Sequence, residues 1–259
     1  MIDLHSHILH NIDDGTRSLQ EAVALARAAV ADGVTIMAAT PHGASSVSTW
    51  TRYEVDLARK RLAEIRAALD HEGVPLQLIS GTEIYGEPGA LDRLQAGALL
   101  PYETGRAVLI EFPLHITPQA AEQIIFGFQL AGYRVVLAHP ERYHFVLRDP
   151  NTLIPMIERG IVMQLTCDAL LGVQGSRMKM LGELMVQHGL VQILATDAHG
   201  LHLGRVPNLG AARKRVAELV SEELADALTR LHPEAILADA PLTPMPPSRI
   251  RNWDGSRYA

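Results

Sequence analysis

Seven short apolar runs recur along the 259-residue chain, at residues 2–4, 34–39, 76–79, 108–110, 135–138, 161–165 and 191–195. They are continuous rather than alternating, the pattern of strands buried on both faces. Helical stretches separate most of them. Ser18-Leu19-Gln20-Glu21 is a capping box ahead of 22–30. Segments 51–72, 118–130, 150–158 and 177–188 each stop within two residues of a glycine, and two of them begin at a proline. Strand–helix repetition predicts an α/β fold with a parallel sheet and helices outside it, and seven units in this length favour a closed or nearly closed barrel. An open doubly wound sheet is the alternative, but the glycine-rich phosphate fingerprint of dinucleotide folds is missing. No Gly/Ser-rich linker interrupts residues 1–240, which read as one domain. The Pro-rich and then polar tail, 241–259, is expected to leave the domain surface.

Composition narrows the function classes. Hydrophobic residues make up 47% and charged residues 20%, which excludes global disorder. No apolar run reaches the ~18–20 residues of a membrane span. No basic segment precedes an apolar stretch at the N-terminus, so no signal peptide is expected, and a cytoplasmic location follows as the expectation. A net charge of −6 argues against a nucleic-acid partner, because a phosphate backbone calls for a basic face. The single cysteine, Cys167, excludes a disulfide framework. Twelve histidines beside one cysteine point to a metal bound through nitrogen and oxygen.

The C-terminal ends of the runs carry those ligand types. The first ends in His5-Ser6-His7, the second in Thr40-Pro41-His42, the third in Gly81-Thr82-Glu83 and the fourth in Glu111-Phe112-Pro113. The fifth ends in His139-Pro140-Glu141-Arg142 and the last in Thr196-Asp197-Ala198-His199. In a parallel barrel these ends share one face, where active sites lie. Asp13 and Asp14, in the first loop, fall on the same side. His5 and His7 are two apart on a strand and so share a face. A lone His-x-His carries little weight, but six such ends together predict a metal centre, and a carboxylate such as Glu83 can bridge two ions. Arg142 and Arg205 are the candidate anion ligands, since a guanidinium fork matches two phosphate oxygens. Cys167 is not read as a nucleophile: a thiol phosphatase needs Arg six positions later, where Val173 stands. Lys60, Lys179 and Lys214 lie away from strand ends, which disfavours Schiff-base chemistry. His71, His188 and His232 are read as surface residues.

The stretches "MIDLHSHILHNIDDG", "ATPH", "GTEIY", "HPERY", "QLT…LLG" and "TDAH" resemble the PHP (polymerase and histidinol phosphatase) superfamily. Within it they are similar to the bacterial manganese-dependent tyrosine-protein phosphatases of capsule and exopolysaccharide operons, from Met1 to about Leu219. The resemblance implies a distorted seven-stranded (β/α) barrel with three divalent ions, manganese first, with iron or zinc as alternatives. It implies His5, His7, Glu83 and Asp197 for one ion, Glu83, Glu111 and His139 for a second, and Asp14, His42 and His199 for the third. Arg142 and Arg205 would hold the substrate phosphate, and a hydroxide held between metals would attack phosphorus. The implied substrate is a phosphotyrosine-bearing protein, the tail of a bacterial tyrosine kinase. The chain departs from the family pattern at Gly43, where another His is usual, at His10, where Pro is common, and in a DAH-to-Arg205 spacing one residue longer. Tyr258 is a candidate phosphosite in the tail.

Three rivals share parts of this pattern. A histidinol-phosphate phosphatase would use similar metals on a small alkyl ester. An amidohydrolase would cleave C–N bonds instead. A non-enzymatic regulatory module would normally have lost ligands, and all nine positions are present here.

Overall fold

The computed structural model describes residues 1–45, 51–103, 105–251 and 253–255. Tyr258 lies outside them. Eight strands run in chain order: β1 Ile2–Asp3, β2 Ile36–Ala39, β3 Gln77–Ser80, β4 Glu83–Tyr85, β5 Ala107–Glu111, β6 Arg134–Ala138, β7 Val162–Thr166 and β8 Ile193–Ala195. They form a β1-β2-β3 sheet and a β4-β5-β6-β7-β8 sheet, and every pairing is parallel.

The sequence pattern predicts seven strands, and the eighth has a simple origin. The third run breaks after Ser80 and resumes at Glu83. The register of β3 on β2, with Ala39 opposite Ser80, continues unchanged into the isolated bridge between His42 and Glu83. β3 and β4 are therefore one barrel position interrupted at Gly81 and Thr82. The interruption is where Tyr102 packs: a Cβ on Gly81 would stand 3.2 Å from its ring, and its hydroxyl donates to Leu4 O at 2.8 Å. At the other edge, β1 meets β8 through the parallel Ser6–Ala198 bridge and the Asp197 N to His5 O bond of 2.9 Å. No continuous ladder closes the sheet among the described residues, so the barrel is distorted.

Side-chain alternation divides the strands as the period of two requires. Ile2, Leu109, Val136, Ala138, Val162 and Ile193 form an inner cluster with Leu4, Ala38 and Tyr102. The alternate residues, among them Met37, Val108, Ile110, Val135, Leu137, Met163 and Leu194, join the larger cluster that the outer helices cover. Continuous apolar runs are thus buried on both faces, as they read in sequence. Ser18 caps the Leu19–Ala31 helix by accepting from Glu21 N, but the Glu21 carboxylate accepts from Arg17 N, one residue before the expected capping-box partner.

The C-terminal segment does not leave the surface as expected. Ile250 is buried and pairs both ways with the Asn151 side chain. Trp253 donates to Leu147 O at 2.8 Å, and Ser248 N donates to His188 O. Apolar side chains among the prolines explain the return, since Ile250 and Trp253 bury area that water would otherwise wet. His232, read as a surface residue, is also buried, with Nδ1 against Gln192 O at 2.7 Å.

Candidate metal centre

All nine candidate ligands converge at the C-terminal mouth of the barrel, Asp14 reaching it from the loop after β1. His5 and His7 follow β1, His42 follows β2, Glu83 opens β4, Glu111 ends β5, His139 follows β6, and Asp197 and His199 follow β8. His139 and Asp197 take left-handed backbone angles, φ 34° and 52°. Non-glycine residues rarely adopt these, and their occurrence directly after strands is the kind of strain found at working sites.

Four ligand atoms define the centre: His5 Nε2, His7 Nε2, Glu83 Oε2 and Asp197 Oδ1. The five distances among them that involve an imidazole are all 3.2–3.3 Å. Two imidazole nitrogens flanked this closely by two carboxylate oxygens form a donor set that a divalent cation can share. Around it, His42 Nδ1 lies 3.2 Å from Glu83 Oε2 and 2.8 Å from Glu111 Oε1. His139 Nε2 lies 2.8 Å from Glu83 Oε1 and 3.9 Å from Glu111 Oε2. His199 Nε2 and His42 Nε2 lie 3.2 and 3.8 Å from Asp14 Oδ1. Ligand atoms fall into four overlapping groups within metal-binding reach, one of which is His7, Asp14, His42 and His199. His7 therefore borders the third group as well as the first, and His42 stands with Glu83 and Glu111. These groups cut across the three sets that the resemblance implies, because His139 falls with His5 and Asp197 while His42 stands beside Glu83 and Glu111.

The outer nitrogens decide how the imidazoles point. His5 Nδ1 meets Gln164 Oε1 at 2.9 Å, His7 Nδ1 meets Asp13 Oδ2 at 2.7 Å, and His199 Nδ1 meets Asp197 O at 2.8 Å. Each of these oxygens is an acceptor, so each Nδ1 carries the proton in the neutral ring. Each Nε2 then aims a lone pair inward, at carboxylate oxygens that also offer only lone pairs. Among the described residues Glu83 Oε2 is buried without a hydrogen-bond partner despite its three imidazole neighbours. Lone pairs facing one another fit a shared cation, and an acceptor behind each imidazole is the usual support of a metal-binding histidine.

Without a cation, charge on the imidazoles must take its place. Burial pushes His42 down, but the Glu83 charge and the Glu111 hydrogen bond outweigh it and lift His42 to about 9. Burial likewise opposes His7, yet Asp13, Asp197 and Glu83 raise it well above its ordinary value. Burial raises Glu83, and the His5 and His42 charges overcome this to hold it well below the carboxylate range. Asp197 is held low against burial by His5, Arg142, His7 and Arg205.

Both candidate arginines reach the site. Arg142 Nη2 and Arg205 Nη2 donate to the same atom, Asp197 Oδ2, at 2.7 and 2.6 Å. Both side chains remain partly exposed, 27% and 30%, so they border the mouth. Arg205 closes the 200–205 loop, where His199 N donates to Arg205 O at 3.1 Å and Gly200 bridges to Arg205. Cys167 is fully buried, and burial drives its thiol well above the ordinary value, against a nucleophilic role.

The sequence pattern gives Gln164 no role, and it places Asp13 and Asp14 on the mouth side without separating their roles. Gln164 is a polar residue on the inner face of an apolar strand, a signal that a buried partner exists. Its Oε1 serves both His5 and His139 N. Asp13 is the neighbour of the chosen Asp14; it turns inward to His7 Nδ1 and also accepts from His42 N at 2.9 Å.

The family model for capsular polysaccharide synthesis proteins, CpsB/CapC, matches residues 1–238. The chain belongs to the CpsB/CapC family. It is 35% identical over 203 residues to the tyrosine-protein phosphatase YwqE of Bacillus subtilis, covering 78% of each chain. It is 25% identical over 242 residues to the tyrosine-protein phosphatase CpsB of Streptococcus agalactiae, covering 92% of this chain and 98% of that one. A crystal structure from a study of YwqE from Bacillus subtilis and CpsB from Streptococcus pneumoniae, described as metal-dependent tyrosine phosphatases, superposes with TM-score 0.89. It shares 30% identity and covers 97% of this chain and 100% of the other. An organophosphorus hydrolase from Deinococcus radiodurans, 14% identical with TM-score 0.56 over 91% of this chain and 92% of its own, shares the fold.

Proposed function

We propose that this CpsB/CapC chain is a metal-dependent protein-tyrosine phosphatase whose residues 1–240 form one catalytic domain. The observation that carries this is the close set of His5, His7, Glu83 and Asp197, with two guanidinium groups on the outer oxygen of Asp197. His5, His7, Glu83 and Asp197 would hold one divalent ion, Glu83, Glu111 and His139 a second, and Asp14, His42 and His199 a third. Manganese is the proposed metal, with iron and zinc compatible with the same nitrogen and oxygen donors. Ions bound there supply Lewis acidity towards phosphoryl oxygens and acidify water.

The chain's own residues do the rest. Arg142 and Arg205 face the mouth and match the oxygens of a phosphoryl group, adding fixed positive charge where negative charge builds up. Asp197 orients both guanidinium groups. Gln164 and Asp13 keep His5 and His7 in the tautomer that presents Nε2. A departing tyrosine has a pKa of about 10, which lowers the demand for a strong general acid. The proposed substrate is a phosphotyrosine-bearing protein, the tail of a bacterial tyrosine kinase controlling capsule or exopolysaccharide synthesis, met in the cytoplasm. The family description and the names of the relatives support that reading. Among the described residues no helix is long and apolar enough to cross a membrane.

The test is hydrolysis of a tyrosine-phosphorylated peptide by metal-stripped protein after return of Mn, Zn, Fe or Mg, beside a His139→Ala variant and a histidinol-phosphate control. Expected are turnover restored by manganese, loss in the variant and weak histidinol-phosphate hydrolysis. Turnover confined to histidinol phosphate would move the chain to the alkyl-ester branch. No turnover on either ester with any metal would remove the phosphatase reading.

A further inference from the structure

Beside the metal centre the mouth opens into a cleft of about 440 Å³ lined by Tyr85, Gly86, Glu87, Pro88, Pro113, His115 and Ile116. Its inner wall belongs to the same strands as the ligands. Tyr85 is the direct partner of Glu111 in the β4–β5 register and lies two residues beyond Glu83, so all three side chains project to the inner face. Tyr85 is half-buried, and burial followed by the nearby Glu111 and Glu87 charges raises its phenol. Pro113 follows Glu111 by two residues. The cleft is therefore continuous with the edge of the candidate centre formed by Glu83, Glu111 and His42.

The chemistry of the walls restricts the occupant. One phenol ring, two prolines and an isoleucine supply apolar faces. Among the described residues no Lys or Arg lines the cleft, its one carboxylate, Glu87, is paired with Arg93, and His115 adds one imidazole. A second phosphate would meet no guanidinium or ammonium group here, whereas a flat apolar group would meet matching surface. A larger cavity of about 540 Å³ shares Glu87 and Pro88 but contains neither Tyr85 nor Pro113, and so does not adjoin the centre in the same way.

We infer that this cleft seats the aromatic ring of the phosphorylated tyrosine while its phosphate faces the metal-ligand cluster, making Tyr85 and Ile116 specificity-determining residues. The inference rests on the phosphatase reading above and deepens it. It accounts for selection of an aryl over an alkyl phosphate ester without any contact to the phosphate itself. Burying one side of a ring in such a cleft is enough for about a tenfold preference.

The test compares phenylphosphonate with methylphosphonate as inhibitors of the manganese-loaded wild type, Tyr85→Ala and Ile116→Ala proteins, with bound metal measured in each. In the wild type phenylphosphonate should inhibit about tenfold more strongly. In Tyr85→Ala the two should inhibit within about twofold of each other, and Ile116→Ala should fall between. Methylphosphonate inhibition and metal content should stay constant across all three. KM for a phosphotyrosine peptide should rise several-fold in Tyr85→Ala with kcat little changed. An aryl preference that is absent in the wild type, or that survives both substitutions, would overturn the ring site. So would equal weakening of both phosphonates, which marks damage to the centre. A wild-type protein that hydrolyses no phosphotyrosine peptide fails at the phosphatase reading instead, and that result is separable because the variants are not needed to see it.

Discussion

At the residue scale, the groups behind the ligands matter as much as the ligands. Asp13 accepts from three donors at once, His7 Nδ1, His42 N and Gly15 N. It thereby fixes one imidazole and the backbone that presents another. Replacing it by Asn keeps the shape but removes the charge that holds the His7 proton on Nδ1. Outer-shell losses of this kind weaken metal binding about 10–100-fold. Asp13→Asn should show that loss in a chelator-competition titration while its far-ultraviolet dichroism stays that of the wild type. Unchanged affinity would show that His7 needs no charged acceptor behind it. The sequence made the ligands legible because a parallel barrel sends every strand end to one face, so proximity in space follows from position at a strand end. The roles of Asp13 and Gln164 are not legible there because their task depends on which way a side chain turns. Neighbouring aspartates look alike in sequence, yet Asp13 is turned inward to His7 whereas the Asp14 side chain is about half exposed.

At the element scale, the first loop is shaped by one close approach. Gly15 runs so near β1's extension that a Cβ placed on it would lie 2.1 Å from His7 O and 2.7 Å from His7 Cβ. Thr16 N donates to that same His7 oxygen at 3.2 Å, and Thr16 Oγ1 donates to Ile8 O. The glycine thus lets the loop fold back and deliver Asp13 and Asp14 to the mouth. Gly15→Ala forces either the loop or His7 to move. The expected cost is about 1–3 kcal/mol of stability by denaturant unfolding, together with weaker metal binding. Full stability in that variant would mean the loop has room to shift. Strand existence was readable in the same local way, because apolar runs buried on both faces look the same wherever they occur. The break between β3 and β4 was not, because the ring packed at it, Tyr102, comes about twenty residues further along the chain. The return of Ile250 and Trp253 to the domain was hidden for the same reason, since the prolines around them read as an exit.

At the scale of the whole molecule, protons and metal ions compete for one cluster. In the metal-free protein the raised His42 adds stability that is fully present below its ordinary value of about 6.5 and is lost as pH climbs through about 9. His7, also raised, has the same sign. The Glu83 and Asp197 carboxylates, held low, remain ionised throughout that range and serve either imidazolium or cation. Binding a metal must expel the imidazole protons, so its affinity should rise with pH across roughly 6.5–9, by up to about tenfold per pH unit for each proton released. Ligand binding to the folded state raises the unfolding midpoint in proportion to the logarithm of that affinity at fixed metal concentration. The gain in thermal midpoint on adding manganese should therefore be smallest near pH 6.5 and grow towards pH 9, while the metal-free midpoint moves the other way as the imidazolium contribution fades. The two trends must diverge if the cluster is built for a cation. A manganese-induced gain that is constant over this range would mean that no imidazole proton is displaced, and that His42 and His7 are not ligands.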